Sequence, residues 1–203
     1  IGLCLVGSEM CIRDRWFPDP QIVFEFYLDG LSGVMMVLIC TLSLVIQLFS
    51  TSYMSKDEKY TKYFEYFNFF VFSMLLLVLS GNFLVMFFGW ELVGLSSYLL
   101  ISFWSEKKSA SKAGNKAFIL NRIGDFGFLI GLMMILNYFE TFNFLSIFED
   151  TLKTRPENLD LIILFLLLGA FGKSAQFPLF SWLPDAMEAV SYTHLTLPTN
   201  CVV

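Results

Sequence analysis

The sequence predicts an all-α integral membrane protein with about five transmembrane helices, the last discontinuous near Pro178. Three observations carry this. Hydrophobic residues make up 56% of the chain and charged residues only 15%, whereas a soluble domain carries about 25% charged residues. The apolar residues are gathered into runs of roughly the ~20 residues that a helix needs to cross a bilayer. The charges lie mostly between those runs, in 54–63, 105–116 and 140–160.

The runs are 27–53, 64–81, 83–104, 113–139 and 159–176. Aromatic residues stand at several of their ends: Tyr27 and Tyr53, Tyr63 and Phe64, Trp104, Tyr138 and Phe139. Rings at that depth suit the membrane–water boundary. Asp29, near the start of the first run, reads as interfacial. Gly124, Gly127 and Gly131 sit inside the fourth run and are expected to let another helix approach closely. Segment 140–155, a polar–apolar mixture, is expected to form a short helix on the surface. Alternating spans put 54–63 and 105–116 on one side, where Lys56, Lys59, Lys62, Lys107, Lys108, Lys112 and Lys116 outnumber three acids. The other side, 16–26 and 140–160, has only Lys153 and Arg155 against seven acids. The lysine-rich side is therefore expected to face the cytoplasm or the mitochondrial matrix, with its lysines solvated.

The two ends read differently from the middle. The chain opens with Ile1. Met10 to Arg15 can be encoded as ATG TGT ATA AGA GAC AG, and the reverse complement of that string translates, after a partial codon fitting Ala189, as Val190, Ser191, Tyr192, Thr193 and His194. Both stretches resemble translated transposase-type sequencing adaptors. Residues 1–15 and 189–203 are therefore expected to be adaptor-like, with 16–188 the native membrane domain. Cys4, Cys11, Cys201 and the sole histidine, His194, fall in those ends. Cys40 remains, and a lone thiol in an apolar helix is expected to be a small core residue. No disulfide framework, metal-ligand cluster or Cys/His nucleophile is left. Within 16–188 there are eleven Lys/Arg and sixteen Asp/Glu, with no basic patch for nucleic acid and no glycine-rich phosphate loop.

Of the charges inside the apolar runs, Glu91, Arg122, Asp125 and Lys173 carry the functional reading. Glu91, eight residues after Phe83, sits ~12 Å down its helix, and Lys173 lies ~18 Å along its own from the same side. The offset of ~6 Å is within reach of long side chains. A mid-membrane charge costs about 2.5–3.5 kcal/mol on insertion scales, so both are expected to face the bundle interior, near each other or near water. Loss of hydration disfavours the charged form of each and mutual attraction favours it, which makes either group able to exchange a proton. A static ion pair that pins two helices is the alternative. Pro178 has no N–H, so the carbonyl of Ser174 is expected to lose its helical partner, and interrupted helices beside buried charges recur at ion sites of transporters. Arg122 and Asp125, spaced i,i+3, can pair on one face. They fit either an auxiliary part of a proton route or an anchor for the helix end.

The stretches "GWELVGLSSYLLISFW", "KAFILNRIGDFGFL" and "GKSAQFPLFSWLPDAMEA", in this order and at these separations, resemble the antiporter-like subunit 5 family of respiratory complex I (NADH:ubiquinone oxidoreductase). The related large subunit of multi-component sodium/proton antiporters is similar. The resemblance covers about 16–188 and implies most of the first of two inverted repeats, each built around a discontinuous helix. It implies that Glu91 of "GWE" and Lys173 of "KSAQ" form the proton relay. It further implies no cofactor in this chain, since NADH, FMN, iron–sulfur clusters and quinone are bound by other subunits. The implied partners are other membrane subunits of complex I and the lipid bilayer. The implied location is the mitochondrial inner membrane, or a bacterial cytoplasmic membrane. The family continues "EAPTPVSALIHAAT" or similar where this chain reads "VSYTHLTLPT", so His194 is not the family histidine. Residues 1–15 stand where the family has its first two helices.

Overall fold

A computed structural model describes residues 2–6, 9–14, 24–153 and 158–190. His194, Cys201 and Arg155 lie outside the described residues. The order is β1 (Gly2–Val6), β2 (Glu9–Asp14), β3 (Phe24–Leu28), α1 (Gly30–Tyr53), α2 (Tyr60–Val78), α3 (Phe83–Ile101), α4 (Lys108–Phe139), α5 (Phe144–Lys153), α6 (Leu159–Lys173) and α7 (Trp182–Val190). The helical membrane architecture is as the sequence predicts, with α5 as the expected short helix of 140–155 and α7 beyond the expected break.

The addition is a small antiparallel sheet in the order β1-β2-β3, with Cys4 opposite Cys11 and Ile12 opposite Phe26. The β3 stretch "FEFYL" is rich in the aromatic residues that favour extended backbone. Its other edge meets the α2–α3 turn, where Tyr27 N–H donates to Leu79 O at 2.9 Å and Gly81 N–H donates to Glu25 O at 2.7 Å.

α1, α3 and α4, of 24, 19 and 32 residues, are each long and apolar enough to cross a membrane. α2 has 19 residues but takes Lys62 and Glu65 into its first two turns. α6 has 15 residues, a rise of about 22 Å against a hydrocarbon layer of ~30 Å. Two helices start earlier than the hydropathy pattern indicates, α4 at Lys108 rather than 113 and α2 at Tyr60 rather than 64. The reason in α4 is propensity: "KSASKAGNKA" is polar but rich in alanine and lysine, which favour helix. α1 begins with a reciprocal cap in which Ser32 N–H donates to Asp29 Oδ1 at 2.6 Å and Asp29 N–H donates to Ser32 Oγ at 2.8 Å. That is the structural task of Asp29.

α4 and α6 share the most extensive helix seam among the described residues, and glycine makes it possible. A Cβ on Gly124 would come 3.0 Å from Gly172 Cα, and one on Gly169 would come 2.7 Å from Phe128 Cβ. The expected role of Gly124, Gly127 and Gly131 in close packing is what the structure shows, since Cβ atoms there would meet Gly172, Leu168 and Leu166 of α6 at 3.0, 2.6 and 3.1 Å. Phe128, Leu132 and Phe142 form one buried cluster against α3, and Ile135, Ile147 and Ile162 form another beneath α5. α1 lies at the periphery, with Leu31 72% and Phe49 71% exposed. Cys40 is a correction: it is exposed rather than a core residue, because α1 packs mainly against α2 and β3 and leaves much of its surface uncovered.

Candidate functional site: a buried charged chain across three helices

The seam between α4 and α6 sets the site. The close approach at Gly124 and Gly172 brings the next residues, Asp125 and Lys173, together. Lys173 Nζ lies 4.0 Å from Asp125 Oδ2. Asp125 is only 3% exposed, and its other oxygen, Oδ1, accepts from Trp90 Nε1–H of α3 at 2.7 Å. Arg122, one turn before Asp125, has Nη1 at 3.9 Å from Asp125 Oδ2. Its guanidinium also pairs with the Glu91 carboxylate and lies over the Phe118 ring, 4.7 Å from the centroid.

The four charges thus form one line of alternating sign: Glu91, Arg122, Asp125, Lys173. The sequence places Glu91 and Lys173 at similar depth and leaves direct pairing open. The structure gives Glu91 to Arg122 and Lys173 to Asp125. Rotation about the α3 axis is the reason. Adjacent helical residues point about 100° apart, so Trp90 reaches Asp125 and Lys173 while Glu91 reaches Arg122. The formal charge of the four is zero, which lowers the cost of placing them in an apolar bundle. The line is not a closed set of hydrogen bonds. Asn121 Oδ1, Asp125 Oδ2 and Lys173 Nζ are buried and make no hydrogen bond among the described residues. Asn121, one turn from Asp125 on α4, and Trp90 are site residues that the sequence reading passed over. A tryptophan in the middle of a span, away from the interface where its N–H finds water, was the available signal.

The helix interruption next to Lys173 begins earlier than Pro178 requires. α6 stops at Lys173, and Ala175 takes a left-handed conformation with φ 51. Gln176 N–H donates to Phe171 O at 3.0 Å and Ser174 N–H donates to Ala170 O at 2.9 Å. The Gln176 bond is the long closing bond of a Schellman-type end, with alanine where glycine is usual. Gly172 O is taken by Trp182 Nε1–H of α7 at 3.0 Å. The ammonium therefore sits on the last helical residue, at an end already folded back on itself.

Two loop lysines expected to be solvated are paired. Lys116, inside α4 because that helix starts early, holds Asp185 of α7 at 2.6 Å, and Lys59 holds Glu106 at 2.7 Å. At this lysine-rich end the hydrogen bond from Lys59 holds the Glu106 carboxyl below its ordinary range, and the same bond raises Lys59. Asp57 is lowered by the Lys59 backbone N–H and then by the Trp104 indole N–H. Among the described residues no group of three or more His, Cys, Asp or Glu could hold a metal ion.

Comparison with known proteins bears on this arrangement. Residues 80–197 match the family profile described as NADH:quinone oxidoreductase/Mrp antiporter, TM. Residues 16–64 match NADH-Ubiquinone oxidoreductase (complex I), chain 5 N-terminus. NADH-ubiquinone oxidoreductase chain 5 of Acanthamoeba castellanii is 47% identical over 198 residues, covering 90% of this chain and 29% of that protein. NAD(P)H-quinone oxidoreductase subunit 5, chloroplastic, of Anthoceros angustus is 46% identical over 181 residues, covering 85% of this chain and 25% of that protein. The chain thus spans under a third of the length of these relatives. A chain in the structure of the Mrp complex from Dietzia sp. DQ12-45-1b superposes with a TM-score of 0.83 at 25% identity, covering 91% of this chain and 20% of that one. The expected resemblance is therefore met: this chain belongs to the NADH:quinone oxidoreductase/Mrp antiporter transmembrane family.

Proposed function

We propose that this chain is part of a membrane subunit of an NADH:quinone oxidoreductase. In this reading it moves protons by way of Glu91 and Lys173, with Arg122 and Asp125 as the charged link between them, coupled to electron transfer from NADH to quinone in other subunits. The observation that supports it is the open geometry of the charged line. A purely structural bridge is expected to close to hydrogen-bond distance, about 2.7–2.9 Å. Here Lys173 Nζ and Asp125 Oδ2 stand 4.0 Å apart, both buried and neither hydrogen-bonded. A lysine on the last residue of an interrupted helix can move toward or away from Asp125 with little change elsewhere. When the ammonium is close, Asp125 is satisfied by it, and the hold of Asp125 on Arg122 weakens. Arg122 then shifts toward Glu91, which stays ionised. When Lys173 is neutral or withdrawn, Arg122 turns to Asp125 and Glu91 is free to take a proton. The proton state at one end is thus read at the other.

The reading includes 16–188 as the native membrane domain, with other membrane subunits of the complex and lipid around it, in the mitochondrial inner membrane or a bacterial cytoplasmic membrane. The start of the chain 5 match at residue 16 supports the first boundary, while the antiporter match runs to 197, nine residues past the second. The likeness to a subunit of the Mrp complex favours a second reading, sodium/proton exchange. Dependence of transport on sodium rather than on NADH oxidation separates the two.

Glu91→Gln in the full-length parent subunit tests the proposal. Loss of a positioned proton-transfer group costs about 10²-fold or more. We expect a normally assembled complex that pumps at least that much less. Lost assembly, or unchanged pumping, contradicts the relay.

A further inference from the structure

α3 faces the Asp125–Lys173 pair with two residues one turn apart, Trp90 and Gly94, and neither is a proton carrier. Trp90 touches both partners. Its Nε1–H donates to Asp125 Oδ1 at 2.7 Å, and its ring lies 5.9 Å from Lys173 Nζ. Gly94 supplies space. A Cβ there would lie 2.5 Å from Lys173 Nζ, with Lys173 Cε next at 3.9 Å. The ammonium therefore occupies the volume that any side chain at position 94 would fill. The indole meanwhile takes one oxygen of Asp125 and leaves the other, Oδ2, turned to Lys173 and Arg122.

We propose that Trp90 and Gly94 are positioning residues that set the separation and protonation balance of the Asp125–Lys173 pair. Trp90 fixes the rotation of the carboxylate by a single hydrogen bond and presents its ring to the ammonium. Gly94 opens the notch that lets the ammonium come to rest at that distance. The inference rests on the proton-moving reading above. The charged groups around Asp125 are Arg122 on its own helix, Lys173 on α6 and, through Arg122, Glu91 on α3. The α7 carboxylate, Asp185, is held by Lys116, more than two turns before Asp125 on α4.

The test uses the full-length parent subunit in its assembled complex, with pumping measured across pH. Trp90→Phe keeps an aromatic ring and removes the donor. The lost hydrogen bond is expected to displace the pH profile of pumping by roughly half a unit to one unit, with complex content unchanged. Phe87→Leu, in the same core but outside the charged line, is expected to leave the profile in place. Gly94→Ala strengthens α3 as a helix, since alanine favours helix over glycine. It is nonetheless expected to reduce pumping several-fold, because the methyl group takes the ammonium's place. A Trp90→Phe profile that superposes on the parent, a complex that fails to assemble, or a Gly94→Ala variant that pumps normally overturns this inference. If Glu91→Gln still impairs pumping in any of those cases, the proton-moving reading stands. If Glu91→Gln pumps normally, that reading falls first.

Discussion

The seam between α2 and α3 and the seam between α4 and α6 are both close, and both bury polar atoms, but they treat them oppositely. Between α2 and α3, a Cβ on Gly89 would come 2.7 Å from Leu77 N. The buried Ser73 and Ser96 face each other at 3.4 Å. Each hydroxyl is satisfied on its own helix, Ser73 by Phe70 O at 2.8 Å and Ser96 by Val93 O at 3.1 Å. Nothing there is left to exchange. Between α4 and α6, the same small-residue packing brings an aspartate and a lysine face to face and leaves an atom of each without a hydrogen bond. Close packing alone thus does not mark a working site. What marks it is buried polar capacity that the fold leaves unspent, since such atoms are costly unless a second arrangement satisfies them.

The comparison can be broken most sharply at Gly124. Gly124→Leu has no room against Gly172 Cα. Forcing the helices apart is expected to cost about 3 kcal/mol and to separate Asp125 from Lys173. Thermal unfolding of the detergent-purified subunit, together with pumping, should show both losses. A smaller change of opposite sign is expected at the interruption. Ala175→Gly relieves the left-handed φ of 51 and should stabilise by about 1 kcal/mol. If the variant is no more stable, the left-handed alanine is not the point where the helix ends.

In the α2–α3 seam, Ser73→Ala should cost no more than about 1 kcal/mol and leave pumping unchanged. A large loss of transport there would erase the distinction between the two seams. The smallest effect belongs to the exposed Lys59–Glu106 pair. Glu106 is held below its ordinary value of 4.5. Its contribution is therefore present above that value and fades as pH falls through the depressed one. Lys59 is raised above 10.5, so its contribution is present below that and fades only at more alkaline pH. Melting temperature followed down through pH 4 should fall slightly less steeply in Glu106→Gln than in the parent.

Much of this was legible in residue order. The spans at 83–104, 113–139 and 159–176 were visible because charges are scarce there, and Glu91, Arg122, Asp125 and Lys173 stood out for the same reason. The interruption was legible as a proline in a lysine-bearing apolar run, but its position was not. Pro178 removes a donor, whereas the chain leaves the helix at Ala175, whose left-handed backbone nothing in alanine itself announces. Trp90 was legible only as a mid-span indole whose N–H needs a partner; that the partner is the Asp125 carboxylate took the structure.

The sequence by itself determined the membrane class, the order of the helices, the position of each of the four charges along its own helix and the family. Those follow from one-dimensional quantities: run length, charge placement and shared motifs. Tertiary structure alone decided which charge meets which. Depth fixes a residue along a helix axis, but pairing also needs the rotation about that axis and the distance between axes. Here the glycines of α4 and α6 set the distance, and the packing of α3 set the rotation that turns Trp90, not Glu91, toward Lys173.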